Sequence, residues 1–166
     1  MIRRAEISDM PALLEIYNHY VVDTHITFDL EPRTFEQRLA WFGAFKPEGR
    51  HQCFVVARGV EAIGWASSGH FKERAAYDSS VETSVYLAPG WVGRGIGRRL
   101  YEALFAALER ADVHRAYGAI AQPNDASVRL HEAMGFRRVG AYQEVGRKFG
   151  RFWDVAIYER AMTSRP

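Results

Sequence analysis

Apolar and polar residues follow two rhythms along this chain, and the changes of rhythm mark out its elements. Residues 2–5 read as a short first strand. In "SDMPALLEIYNHYV", Leu13, Leu14, Tyr17, Tyr20 and Val21 recur at helical spacing, with Ser8 or Asp9 as cap and Pro11 in the first turn. "TFEQRLAWFGAF" repeats the pattern: Thr34 and Gln37 form a capping box, and Phe35, Leu39 and Phe42 an apolar stripe. "QCFVVAR" and "EAIGWASSG" read as two strands joined by a tight turn near Gly59, and "SSVETSVYL" as a third, longer strand. Further on, Leu100, Leu104 and Leu108, with Tyr101 and Phe105 beside them, make an amphipathic helix. "RAYGAIA" is apolar enough for a strand buried on both faces. "NDASVRLHEAMG" opens on Asn124 as cap and closes on Gly135, and "FRRVGAYQEVG" and "RFWDVAIYERAM" read as two closing strands. This order predicts an α+β or α/β sheet with helices on both faces.

Composition narrows the function classes. With 166 residues, 48% hydrophobic content and no linker-like stretch, the chain reads as one domain over 1–166 with a real core. A net charge of +2 with scattered basic residues argues against a nucleic-acid partner. No stretch has the length and apolarity of a membrane span or a signal peptide, and Cys53, the single cysteine, reads as a buried inert thiol. A cytoplasmic protein without a metal is expected.

Two stretches carry chemistry. In "WVGRGIGRRL", Gly93, Gly95 and Gly97 bare the backbone where a strand passes into a helix, amid Arg94, Arg98 and Arg99. Helix N-termini leave N–H groups unpaired and carry partial positive charge, so the stretch suits an anion such as a pyrophosphate. It is neither a P-loop, which ends in Gly-Lys-Ser/Thr, nor a dinucleotide fingerprint, since Arg98 stands where the third glycine belongs. Alone it could be a plain glycine-rich turn. On the later helix, Asn124, Ser127 and His131 lie at i, i+3 and i+7 and line one face, which points to a ligand.

The strand "SVYLAP", then "VGRGIGRRL" and its helix, then a strand and "NDASVRLHEAMGF", resemble the GCN5-related N-acetyltransferases. The resemblance covers nearly the whole chain. "EIYNHYV", "AAYD", "VETSVYLAP" and "GRKFGRFWDV" place it nearest the phosphinothricin and methionine sulfoximine acetyltransferases. It implies a mixed, mostly antiparallel sheet flanked by helices, and acetyl-CoA as the anion. The pyrophosphate would rest on Gly93, Arg94, Gly95, Ile96, Gly97 and Arg98. The pantetheine arm would pair with Val85, Tyr86 and Leu87 as an added strand does, and Asn124 and Ser127 would contact the cofactor. One residue departs from the family loop: Val92 stands where Gln or Arg is usual, and Arg94 can compensate.

Acetyl transfer to an α-amine needs a group that removes its proton. Strand alternation puts Glu82, Ser84 and Tyr86 on one face and Val81, Thr83, Val85 and Leu87 on the other. The resemblance makes Glu82 the general base and His131 the second catalytic residue, as base or as acid to the thiolate. A backbone N–H near Leu87, at a family strand bulge, would hold the oxyanion. Lys72, Arg74, Tyr77, Tyr86 and Phe28 would hold the substrate, the cations meeting the acidic ends of phosphinothricin. These expectations describe N-acetylation of a small amino acid, phosphinothricin or methionine sulfoximine or sulfone, by a homodimer, with herbicide or antibiotic resistance as one consequence. "RFWDVAIY" is the expected dimer face. A protein N-terminus or a polyamine is the alternative target, and Lys72 and Arg74 argue against the polyamine. A non-catalytic CoA-binding module is the alternative from another class, and the presence of both Glu82 and His131 argues against it.

Overall fold

The computed structural model describes residues 1–162. Seven strands form one sheet: β1 (Ile2–Arg4), β2 (Cys53–Arg58), β3 (Glu61–His70), β4 (Ser80–Leu87), β5 (Arg115–Ala121), β6 (Arg137–Lys148) and β7 (Arg151–Ala161). Their order across the sheet is β1-β2-β3-β4-β5-β7-β6, and β4–β5 is the parallel pair. Four helices flank it: α1 (Met10–Asp23), α2 (Phe35–Phe42), α3 (Ile96–Leu108) and α4 (Asp125–Ala133). The mixed, mostly antiparallel α+β architecture expected from the sequence is the one observed.

Local signals place most of these ends. Thr34 accepts from the Gln37 N–H while the Gln37 side chain accepts from the Thr34 N–H, the reciprocal box that starts α2. Asn124 Oδ1 accepts from the Ser127 N–H and starts α4. Asp9 precedes α1 but does not cap it. Its carboxylate takes the Arg3 guanidinium on both oxygens and the Glu6 N–H, so the pair ties β1 to the helix start. β4, with eight residues, is shorter than β3 with ten, and so is not the longest strand of its run.

The two sheet faces carry separate cores. On one, α3 packs Leu100, Tyr101, Leu104 and Leu108 against Val81, Ala116 and Ile120. Each fully buried leucine contributes about 2 kcal/mol of transfer free energy. On the other, Met10, Leu13 and Ile16 of α1 pack on Val55 and Trp65. Cys53 lies in this second core, where burial pushes its thiol pKa up to about 12, which leaves it unreactive.

α2 differs from its predicted stripe. Phe35 is exposed, Leu39 and Phe42 are half-buried, and the buried residue is Arg38. β5 is not buried on both faces either, because Ala119 opens onto solvent. β7, the strand expected to form a dimer face, lies inside the sheet between β5 and β6, and β6 is the edge. Among the described residues no helix is long and apolar enough to cross a membrane, and no cluster of three or more metal-ligating side chains occurs.

Candidate active site

The parallel pairing of β4 with β5 is short. It joins Ser80 to Arg115, Val81 to Ala116 and Glu82 to Tyr117, and then the strands part. β3 keeps its register with β4 without a break from Val81 to Leu87, so the bulge expected near Leu87 is not on that edge. The irregularity of β4 is the parting from β5 itself. Among the described residues, the β5-facing edge of β4 beyond Glu82 is free of a strand partner, as an extended ligand that adds a strand requires.

Two cavities open on either side of this parting. The first, of about 540 Å³, lies on the α1–α2 face, and Glu82, Ser84 and Tyr86 form its β4 wall. The second, of about 430 Å³, lies on the α3–α4 face, lined by Thr83, Val85 and Leu87 from β4 and by Tyr101 and His131. Ile26, Ser84, Tyr86, Ala119 and Ala121 belong to both walls. The cavities therefore meet through the gap between the strands. The alternation predicted for β4 gives Glu82 to the first wall alone and Thr83, Val85 and Leu87 to the second alone, while Ser84 and Tyr86 border both.

The second cavity has a backbone cradle at one end. Gly93 and Gly95 both line it at φ of 81° and 73°, left-handed values that a side chain strains to reach. Gly95 is the N-cap of α3, whose first-turn N–H groups lack intrahelical partners, and that turn holds no acidic residue. Gly97 is glycine for a different reason. A Cβ there would stand 3.0 Å from the Leu130 side chain, so it lets α3 approach α4 closely. Arg98, Asn124 and Ser127 complete this wall as expected, and Arg129 joins it without having been foreseen. Ile96 and Arg94 were expected there through their backbone N–H groups; the Ile96 side chain is buried in the core, and the Arg94 guanidinium lies 5.0 Å over the Trp91 ring. Val92 lines the cavity, half exposed.

His131 is 3% exposed at the inner end of the same cavity. Its Nδ1 lies 2.8 Å from the Ser127 carbonyl oxygen, which can only accept, so Nδ1 carries the proton. Nε2 is then the acceptor for the Tyr101 hydroxyl at 3.1 Å. Burial lowers the His131 pKa and the bond to Ser127 opposes this in part, so the ring is neutral at pH 7. Burial also raises the Tyr101 pKa and keeps its hydroxyl protonated.

Glu82 is on the other side of the sheet. Its side chain opens into the first cavity while protein atoms crowd around it, and that desolvation alone raises its pKa. Phe28 and Tyr86 line the first cavity as expected. Gly146 gives Phe28 its place: a Cβ there would lie 2.2 Å from the Phe28 ring. Lys72, Arg74 and Tyr77 reach the wall of neither cavity. They sit on the loop after β3, where Lys72 Nζ lies 5.1 Å from the Phe71 ring and 5.3 Å from the Tyr77 ring. The cations on the first wall are Arg33 and Arg38, from the segment before α2 and from α2 itself, and neither was foreseen.

Residues 2–157 match the acetyltransferase (GNAT) domain. The chain is similar to the phosphinothricin N-acetyltransferase of Streptomyces coelicolor, 53% identical over 93% of this chain and 91% of the relative. It is 34% identical to the L-methionine sulfoximine/L-methionine sulfone acetyltransferase of Salmonella typhimurium, over 95% of this chain and 92% of that one. Among solved structures, a Salmonella typhimurium acetyltransferase with its cofactor acetyl-CoA superposes at a TM-score of 0.94, with 32% identity over 100% of this chain and 95% of the other. A phosphinothricin acetyltransferase of Sinorhizobium meliloti in complex with acetyl-CoA superposes at 0.93, with 27% identity over 100% and 92%. By domain, relatives and fold, the chain belongs to the GNAT family and is an N-acetyltransferase.

Proposed function

We propose that the chain transfers the acetyl group of acetyl-CoA to the α-amine of a small amino acid, phosphinothricin first and methionine sulfoximine or sulfone after it. The observation that carries this reading is the meeting of two cavities through the β4–β5 gap, with a backbone anion cradle on one side and a crowded carboxylate on the other. The 53% identity to a phosphinothricin acetyltransferase supports the order of substrates.

The second cavity suits acetyl-CoA. Its pyrophosphate fits the N–H groups around Gly93, Gly95 and Gly97, with Arg98 beside them. Its arm fits the free edge of β4 at Val85, Tyr86 and Leu87, with Asn124 and Ser127 across from it. Bound there, acetyl-CoA supplies the activated acetyl group. The amine enters from the first cavity, where Phe28 and Tyr86 flank it. Glu82 takes the ammonium proton, directly or through one water, and its raised pKa makes it a stronger base than an ordinary glutamate. The carbonyl oxygen meets a free N–H on the open edge of β4, toward Leu87. His131 lies on the thiol side of the gap, across the sheet from Glu82. That favours service to the thiolate over a second base: the imidazole holds the Tyr101 hydroxyl, and the pair keeps a proton at the inner end of the cavity.

The enzyme acts as one domain in the cytoplasm, and as a homodimer. The edge strand β6 exposes Val139, Tyr142 and Val145, apolar side chains suited to a second copy. Acetylating phosphinothricin removes the charge on its amine, the chemistry of a resistance enzyme. A thiol-release assay over phosphinothricin, methionine sulfoximine, methionine sulfone and ordinary amino acids tests the reading. A kcat/KM at least tenfold higher for the first three supports it. Equal, weak rates across the panel overturn it.

A further inference from the structure

The charges around the first cavity do not cancel. Arg33 donates Nε and Nη2 to the two oxygens of Asp29, and Tyr17 donates to the same carboxylate, so that pair is closed on itself. Arg38 has no such partner. It is 5% exposed and held flat by aromatic rings, with its guanidinium carbon 3.6 Å from the Trp41 centroid and 4.5 Å from that of Trp65. Nε and Nη2 are covered and make no hydrogen bond, and among the described residues no acid pairs with Nη1. A buried cation without a counter-charge is costly to keep. The wall thus carries one free guanidinium and one free carboxylate, Glu82, in the same space. This is the charge pattern of a molecule with an ammonium at one end and an anion at the other.

Spacing decides which anion. Arg38 stacks on Trp65, which pairs with Tyr86, four residues along β4 from Glu82. At ~3.3 Å per residue this is about 13 Å along the strand. The Glu82 and Arg38 side chains take up part of that backbone span, and a phosphinate, four bonds of about 1.5 Å from the amine, bridges more of the rest than an α-carboxylate at two bonds. We propose that Arg38 is the receptor for the distal phosphinate of the substrate, and so favours phosphinothricin over the uncharged methionine sulfone. This rests on Glu82 marking the amine end, as in the proposed function.

The test compares Arg38→Gln and Arg38→Lys with the parent enzyme on two acceptors, phosphinothricin with its anionic end and methionine sulfone with a neutral one. Melting temperature and acetyl-CoA affinity are measured alongside. Arg38→Gln is expected to raise KM for phosphinothricin at least tenfold and to change KM for methionine sulfone less than about twofold. Arg38→Lys keeps the charge without the planar fork and should recover part of the loss. Equal rises for both acceptors, with a lower melting temperature in both variants, make Arg38 a structural residue and overturn the inference. Unchanged selectivity overturns it as well. A parent enzyme that acetylates neither acceptor overturns the proposed function itself, a result separate from either of these.

Discussion

Gly118 lies beneath His131, where an added methyl group would come within 2.6 Å of Nε2. Gly118→Ala should push the imidazole off the Tyr101 hydroxyl without touching the glycine cradle. The expected result is a fall in kcat of about a hundredfold, the cost of a displacement near 1 Å in a catalytic group, with acetyl-CoA affinity nearly unchanged by calorimetry. Glu82→Gln separates catalysis from stability. A carboxylate whose pKa is raised on folding favours the fold while protonated. That contribution is present below the unfolded value of about 4.3 and is lost as pH rises through the folded value. At pH 7 the ionised group therefore costs stability, and Glu82→Gln should melt at or above the parent temperature while turnover falls by about 10²–10⁴. In the parent enzyme kcat/KM should rise with pH through a pKa above the ordinary Glu range. A variant that melts lower and turns over normally contradicts both statements. Glu82 was singled out by the family resemblance, since a carboxylate on a strand reads equally well as solvent-facing. Arg38 was not, since an arginine on a short surface helix reads as solvated. Trp41, three residues on, covers one side of it, and Tyr17 and Trp65, remote in sequence, close over the rest.

Helix ends were the most legible elements, because capping is a local transaction. Thr34 with Gln37, and Asn124 with Ser127, make in the fold the bonds their spacing predicts. The glycine stretch was legible as a site but not residue by residue. Its three glycines do two jobs, backbone conformation at Gly93 and Gly95 and helix contact at Gly97. Its arginines divide likewise: Arg98 faces the cavity and Arg94 faces Trp91. Gly95→Ala should cost about 1–2 kcal/mol by forcing a side chain into the left-handed region. It should also weaken acetyl-CoA binding, because the N–H groups of the first turn lose their aim. Calorimetric titration checks this, and an unchanged affinity would remove the cradle from the account.

At the scale of the molecule, the fold class was legible from element order and family resemblance, while the parting of β4 from β5 was not. No residue signals where a parallel pair stops, and the gap exists because the strands diverge after the Glu82–Tyr117 pair. Lys72, Arg74 and Tyr77 fell outside the walls because they lie on the loop before Ser80, and closeness in sequence to Glu82 does not place a loop at the cavity. Ala119 occupies the wall common to both cavities and is open to solvent there. Ala119→Trp fills the gap and leaves the glycine cradle and Arg38 in place. Turnover of phosphinothricin by this variant, measured under saturating acetyl-CoA, tests the account most directly. It predicts a loss of at least about a hundredfold, with acetyl-CoA held more weakly but still retained at the glycine cradle. Turnover at the parent rate would contradict it, because the acetyl group would then be passing by some route other than the gap between β4 and β5.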